Sequence, residues 1–258
     1  MSSEQLNNQI KLATQKLTGV SIEPPRKGSA GKQTSVQGTM TFPYIENSVP
    51  FYSSVERDFL LACKLDKRVI SVLSQPFTIN FSSKENDEAR RYTPDYYIER
   101  DVSIIPSQFE LSTTASKILI EVKREEDLRY ISQDDINRYA AAAYWAMQSD
   151  ERDFLIITEA FFSGENGEAI RLLAGYVGER INNVTLALLD LLQRSSPLRL
   201  EEANDLLTIT GYSLEQAEEA VLLSIANGWL ETETFRIPSS GDKLYWRNPD
   251  ASIDPITR

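Results

Sequence analysis

The chain has 258 residues, a single cysteine, no histidine and a net charge of −11, from 27 Lys and Arg against 38 Asp and Glu. Without histidine there is no Ser-His-Asp or Cys-His nucleophile, no imidazole metal site and no imidazole base, so any chemistry must use carboxylates, lysine and ion-activated water. The acidic balance argues against a protein that holds DNA alone through a broad basic surface, because phosphate neutralisation dominates such affinity; a nucleic-acid substrate would be brought by a partner.

No apolar run approaches the ~20 residues that span a bilayer, so no membrane association is expected. The opening MSSEQLNNQIKLATQKL lacks an apolar stretch ending at a small-residue cleavage site. Cys63 alone cannot form an internal disulfide, which fits a reducing, cytoplasmic setting. Residues 1–40 carry five basic and two acidic side chains, among them Arg26, Lys27 and Lys32, and read as a flexible, locally basic arm.

From residue 41 to 165 the pattern is that of a mixed α/β domain. Ser53 and Ser54 can cap the helix VERDFLLACKLD, which places Glu56 in its first turn. Short β-type runs follow at VISVL, FTINF, YTPDYYI and KILIEVK, with polar separators that include SSKENDEARR. An alanine-rich helix, QDDINRYAAAAYWAM, and a last strand, DFLIIT, complete the domain. Residues 166–258 change rhythm. INNVTLALLDLLQRS, LEEANDLLTIT and SLEQAEEAVLLSIANGW are three amphipathic helices, and WLETETFRI and LYWR flank the turn PSSGD, giving a small winged-helix-like α+β domain.

The chemistry concentrates in Thr93-Pro94-Asp95 and, 26 residues beyond Asp95, Glu121-Val122-Lys123. Side chains two apart on a strand share a face, so Glu121 and Lys123 emerge together while Val122 turns into the core. Asp95 sits on the neighbouring β-run after a proline that limits pairing, and the three groups can converge at one sheet edge. Two carboxylates at one point repel, and a divalent cation removes the cost. Mg²⁺, with Mn²⁺ as substitute, suits Asp95, Glu121, the Val122 carbonyl and a substrate phosphate oxygen, with Glu56 completing the shell directly or through water. Lys123 would orient or help deprotonate the attacking water. Glu56, Asp95, Glu121 and Lys123 are thus the candidate catalytic set of a PD-(D/E)xK nuclease. PD or ExK alone carries little information; their order along α/β elements carries more.

The stretches SSVERDFLLACKLDKRVISVLSQPFTINF, RYTPDYYI and ILIEVKREEDL resemble the TnsA family, the endonuclease subunit of Tn-seven-like heteromeric transposases. The resemblance implies a restriction-endonuclease-like mixed sheet flanked by helices, and a nuclease that cuts the 5′ ends of a transposon while a DDE-type transposase cuts and joins the 3′ ends. It also implies contacts with that transposase, with transposon-end DNA and with an AAA+ ATPase regulator. By the family motif Glu56, Asp95 and Lys123 match catalytic positions. A free-standing restriction-like or repair nuclease and a non-catalytic assembly scaffold are the competing readings.

Lys117, Arg124 and Gln133, with Arg129 and Arg138, are candidates for substrate contact. Tyr139, Tyr144 and Trp145 read as packing rather than base-stacking residues. The last tail helix presents Glu215, Glu218 and Glu219 where a DNA-reading helix would present Arg, Lys, Asn or Gln. Residues 165–258 hold eight basic and fifteen acidic side chains, net −7, so the tail is expected to dock protein rather than DNA.

Overall fold

The computed structural model describes residues 3–24, 36–84, 86–104 and 113–247. Two compact units emerge: residues 3–60, 68–104 and 113–161 form the first, and residues 61–67 and 162–247 the second. The first begins with α1 (Ser3–Thr14) and β1 (Leu17–Glu23), followed by the hairpin β2 (Gly38–Phe42) and β3 (Ile45–Phe51), then α2 (Ser54–Leu65), whose residues up to Leu60 belong to it. Next come β4 (Val69–Ser74), β5 (Thr78–Ser83), β6 (Asn86–Tyr92), β7 (Tyr96–Arg100) and β8 (Lys117–Val122). The short α3 (Glu125–Arg129), then α4 (Gln133–Ala146) and β9 (Arg152–Ile157), close the unit.

Its main sheet has the order β4-β7-β8-β9, with β7 antiparallel to both β4 and β8, and β9 parallel to β8. β8 is therefore held on both sides, and its Ile118, Leu119 and Ile120 are fully buried, as a near-continuous apolar run requires. A second sheet, β1-β5-β6, is antiparallel throughout. One face of α4 fills the core with Ile136, Tyr139, Ala140 and Trp145 against Ile79, Phe81, Tyr92 and Leu119. Small alanines at 140–142 allow close approach.

Residues 3–24 correct the expectation of a flexible arm. Leu6, Ile10 and Ala13 recur at helical spacing along α1 and are buried in the same core. The Thr14 hydroxyl donates to the Ile10 carbonyl at 2.8 Å, and β1 pairs along β5 from Leu17↔Ser83 to Glu23↔Thr78. The apolar stripe, rather than the local charge, decides the structure. Arg26, Lys27 and Lys32, which gave the arm its basic character, lie outside the described residues.

YTPDYYI is a second correction, because it is not one strand. β6 ends at Tyr92 and belongs to the smaller sheet, whereas β7 starts at Tyr96 in the main one. Pro94 lacks an N–H for a ladder and restricts the residue before it, so the chain changes sheets across Thr93-Pro94-Asp95. β6 itself runs through NDEARRY, in the segment expected to be a polar separator.

The second unit contains α5 (Gly164–Leu173), α6 (Asn183–Ser195), β10 (Leu198–Arg199), α7 (Leu200–Ile209), α8 (Leu214–Ala226), β11 (Leu230–Glu231) and β12 (Lys243–Trp246). The three strands form an antiparallel sheet in the order β10-β12-β11. Leu188, Leu192, Ala203, Leu207, Ala217, Ala220 and Val221 bury the facing stripes of α6, α7 and α8. α8 starts with a reciprocal cap: Ser213 Oγ accepts from the Gln216 amide at 3.2 Å, and Gln216 Oε1 accepts from the Ser213 amide at 2.9 Å. Ser213→Ala is expected to destabilise this unit by about 1 kcal/mol, readable as a lower denaturant midpoint with unchanged slope.

Candidate active site

Glu121 lies at the end of β8 and Lys123 one residue beyond it, and the alternation read from the sequence is what brings them together. Glu121 Oε1 accepts from Lys123 Nζ at 2.8 Å. Its other oxygen, Oε2, accepts from the Tyr92 hydroxyl at 2.6 Å, and the residue is only 4% exposed. Buried without two donors this acid would be costly; with them it is anchored at both oxygens.

Asp95 joins the pair across the sheet. Its Oδ2 accepts from the Val122 amide at 2.8 Å, and its carbonyl accepts from the Gln75 amide at 2.8 Å. β7 pairs Tyr96 with Ile120, so the side chain of Asp95 stands where the next backbone rung would be. Burial first, and then the Glu121 carboxylate, push the Asp95 pKa well above the usual aspartate value, against the opposing pull of Lys123 and the Val122 amide; Glu56 adds to the upward push. Burial works against the Lys123 ammonium, but Glu121 and Asp95 together outweigh it and hold the lysine above its ordinary value. The site thus contains more negative charge than its one lysine offsets.

Glu56 approaches from the first turn of α2, where it is part of a helix cap. The Ser53 hydroxyl and Tyr52 amide donate to its two oxygens, each at 3.0 Å, and the Tyr96 hydroxyl donates to Oε2 at 2.9 Å. Among the described residues no group of three or more Asp, Glu, Cys or His is gathered as a metal cluster. The donors that fit a cation are therefore the carboxylates of Asp95 and Glu121 with the Val122 carbonyl: hard oxygens, few in number, suited to an ion that keeps several waters. The crowding of two acids supports the fit, since burial and then the neighbouring Glu121 disfavour the Asp95 charge and a cation offsets both.

The substrate candidates are placed less favourably. Lys117 starts β8, four residues or about 13 Å of strand before Glu121, and is paired with Glu151 at 3.1 Å, so the structure does not bring it to the site. Arg124 is exposed just before α3, and Gln133 opens α4 with its amide donating to Asn137 at 3.2 Å. Arg138 is tied to Asp134 at 2.6 Å and to Asp135 at 3.1 Å, and Arg129 is exposed in the last turn of α3. Tyr139 and Trp145 are buried as packing residues, and Trp145 carries Arg152 over its ring at 4.6 Å.

Two tyrosines escaped the sequence reading. Tyr92 and Tyr96 bracket Thr93-Pro94-Asp95, and one hydroxyl anchors Glu121 while the other anchors Glu56. The available signal was that a tyrosine flanking an apolar strand must find a partner for its hydroxyl when buried.

A search of curated proteins found no match. Residues 66–159 match the family model for the TnsA-like endonuclease N-terminal domain. That stretch includes Asp95, Glu121 and Lys123 and begins after Glu56, whose place in the site rests on the Tyr96 contact and its capping geometry. The segment 66–159, which carries these three residues together at one end of a mixed α/β sheet, is thus similar to the TnsA-like endonuclease N-terminal domain.

Proposed function

We propose that the chain is a metal-dependent DNA endonuclease subunit of a heteromeric transposase, cutting the 5′ ends of a transposon while a DDE-type transposase cuts and joins the 3′ ends under an AAA+ ATPase regulator. The observation that carries this reading is the convergence of Asp95, Glu121 and Lys123 inside the TnsA-like segment.

Asp95, Glu121 and the Val122 carbonyl would hold Mg²⁺ or Mn²⁺. When bound, such an ion supplies an activated water and neutralises charge at the scissile phosphate. Lys123, kept protonated by its two acidic neighbours, offers its ammonium to the phosphate or orients the water, which favours a cationic role over that of a base. Glu56, with both oxygens engaged by the α2 cap and Tyr96, acts on the site through water rather than as a direct ligand.

The winged-helix reading of the second unit is supported by its order of helix, short strand, two helices and two strands. Its exposed Glu215, Glu218 and Glu219 along α8 favour a basic protein surface over phosphate, and the transposase or the ATPase is the partner proposed.

The test is strand-specific cleavage of a transposon-end duplex in Mg²⁺, with and without the partner transposase, for the natural chain, Asp95→Asn and Lys123→Ala. Partner-dependent cutting at the 5′ ends, lost in both variants, is expected. Cutting by the chain alone would indicate a free-standing nuclease, and cutting indifferent to both substitutions would displace the active site.

A further inference from the structure

Glu121 departs from an ordinary strand-end acid in having each oxygen assigned to a different donor. Lys123 Nζ holds Oε1 at 2.8 Å and is about one-third exposed, so this contact can be exchanged. Tyr92 holds Oε2 at 2.6 Å from inside the core, and that contact cannot turn away. The Tyr92 ring meets Tyr139 edge-on at 6.2 Å between centroids, and Tyr139 in turn packs on Phe154 at 6.0 Å, so side chains from α4 and β9 fix the position of the hydroxyl. Tyr92 is also the last residue of β6, three positions before Asp95, so one chain segment delivers both the anchor for one carboxylate and the other carboxylate itself.

We infer that Tyr92 is a positioning residue for the cation site: its hydroxyl pins Glu121 Oε2 and so presents Oε1, in a single orientation, for an ion to share with Asp95. The inference rests on the cation site proposed above. Its physical content is pre-organisation. A glutamate has three side-chain torsions to restrict, and a ligand already held by a second donor loses less freedom on binding. The phenylalanine that replaces Tyr92 keeps the ring, the burial and the edge-on packing and removes only the donor.

The test uses the full chain and Mn²⁺ alone as probe, with binding followed by calorimetry or by the electron-spin signal of free Mn²⁺, and thermal melting in parallel. Tyr92→Phe is expected to weaken Mn²⁺ binding about 10-fold, the lower end of what partners behind a ligand contribute. Glu121→Ala should weaken it more, and the double variant no further than Glu121→Ala alone, because Tyr92 acts only through Glu121. Leu6→Ala softens the same core from α1, away from the Tyr92–Tyr139–Phe154 stack, and should leave Mn²⁺ affinity unchanged, which separates positioning from general softening of the core. Unchanged Mn²⁺ affinity in Tyr92→Phe, or losses that add in the double variant, would overturn the inference while leaving the cation site standing. Failure of the natural chain to bind Mn²⁺, or binding indifferent to both Asp95→Asn and Glu121→Ala, would remove the cation site and the inference with it.

Discussion

Lys123→Ala is expected to lower the cleavage rate by about 10²–10³-fold, the loss typical of removing one group that stabilises charge in a transition state. Affinity of the partner-bound assembly for the DNA duplex should change little, since an acidic chain supplies little of the phosphate neutralisation and loses one cation. The pH profile decides between two roles. A lysine whose pKa is raised by Glu121 and Asp95 stays charged through the neutral and mildly alkaline range, so it contributes no rise in rate there. If the natural chain showed an alkaline increase that Lys123→Ala abolished, the lysine would be acting as a base and the electrostatic role assigned to it would fall.

Asp95→Asn should do two opposite things: abolish cleavage and stabilise the metal-free fold at neutral pH. The native pKa of Asp95 lies above its unfolded value because burial, then Glu121, disfavour the carboxylate. Between those two values the native state binds more protons than the unfolded one, so stability falls as pH rises. The contribution is fully present below the unfolded aspartate value of about 3.9 and gone above the native one. An asparagine escapes this loss. With chelator present, Tm should rise by about 2–4 °C at neutral pH, the shift given by roughly 1 kcal/mol in a chain of this size, and the gain should vanish near pH 4. A variant less stable than the natural chain at neutral pH would contradict the electrostatic account of the site.

The residues that were legible in the sequence are those governed by a local period. Glu121 and Lys123 could be placed because an apolar strand alternates, and Glu56 because two serines mark a helix start. Asp95 was legible as a residue and not as a position: Pro94 breaks the run into strands of two different sheets, and only the tertiary pairing of Tyr96 with Ile120 shows which side of the break faces Val122. β6 went unread because a strand carrying Asp87, Glu88, Arg90 and Arg91 has the composition of a loop, and its pairing with β5 overrides propensity. α1 shows the reverse case, in which Leu6, Ile10 and Ala13 hold the helical period and bury, while the net charge of the segment is that of a solvated arm. Lys117, Arg124 and Gln133 are near Glu121 in sequence, but along a strand that nearness is distance: Lys117 pairs with Glu151 instead.

The hydrogen bond from the Val122 amide to Asp95 gives one carboxylate two employments, since the side chain proposed to hold the cation also closes the last rung between β7 and β8. Truncating it to alanine leaves a strand-end amide with nothing to donate to, at a cost of about 1–3 kcal/mol that has nothing to do with phosphodiesters. A lost activity in Asp95→Ala therefore mixes architecture with catalysis, whereas asparagine can keep an oxygen in front of Val122 and surrender only the charge. At this position fold and reaction can be separated by isosteric replacement and not by deletion.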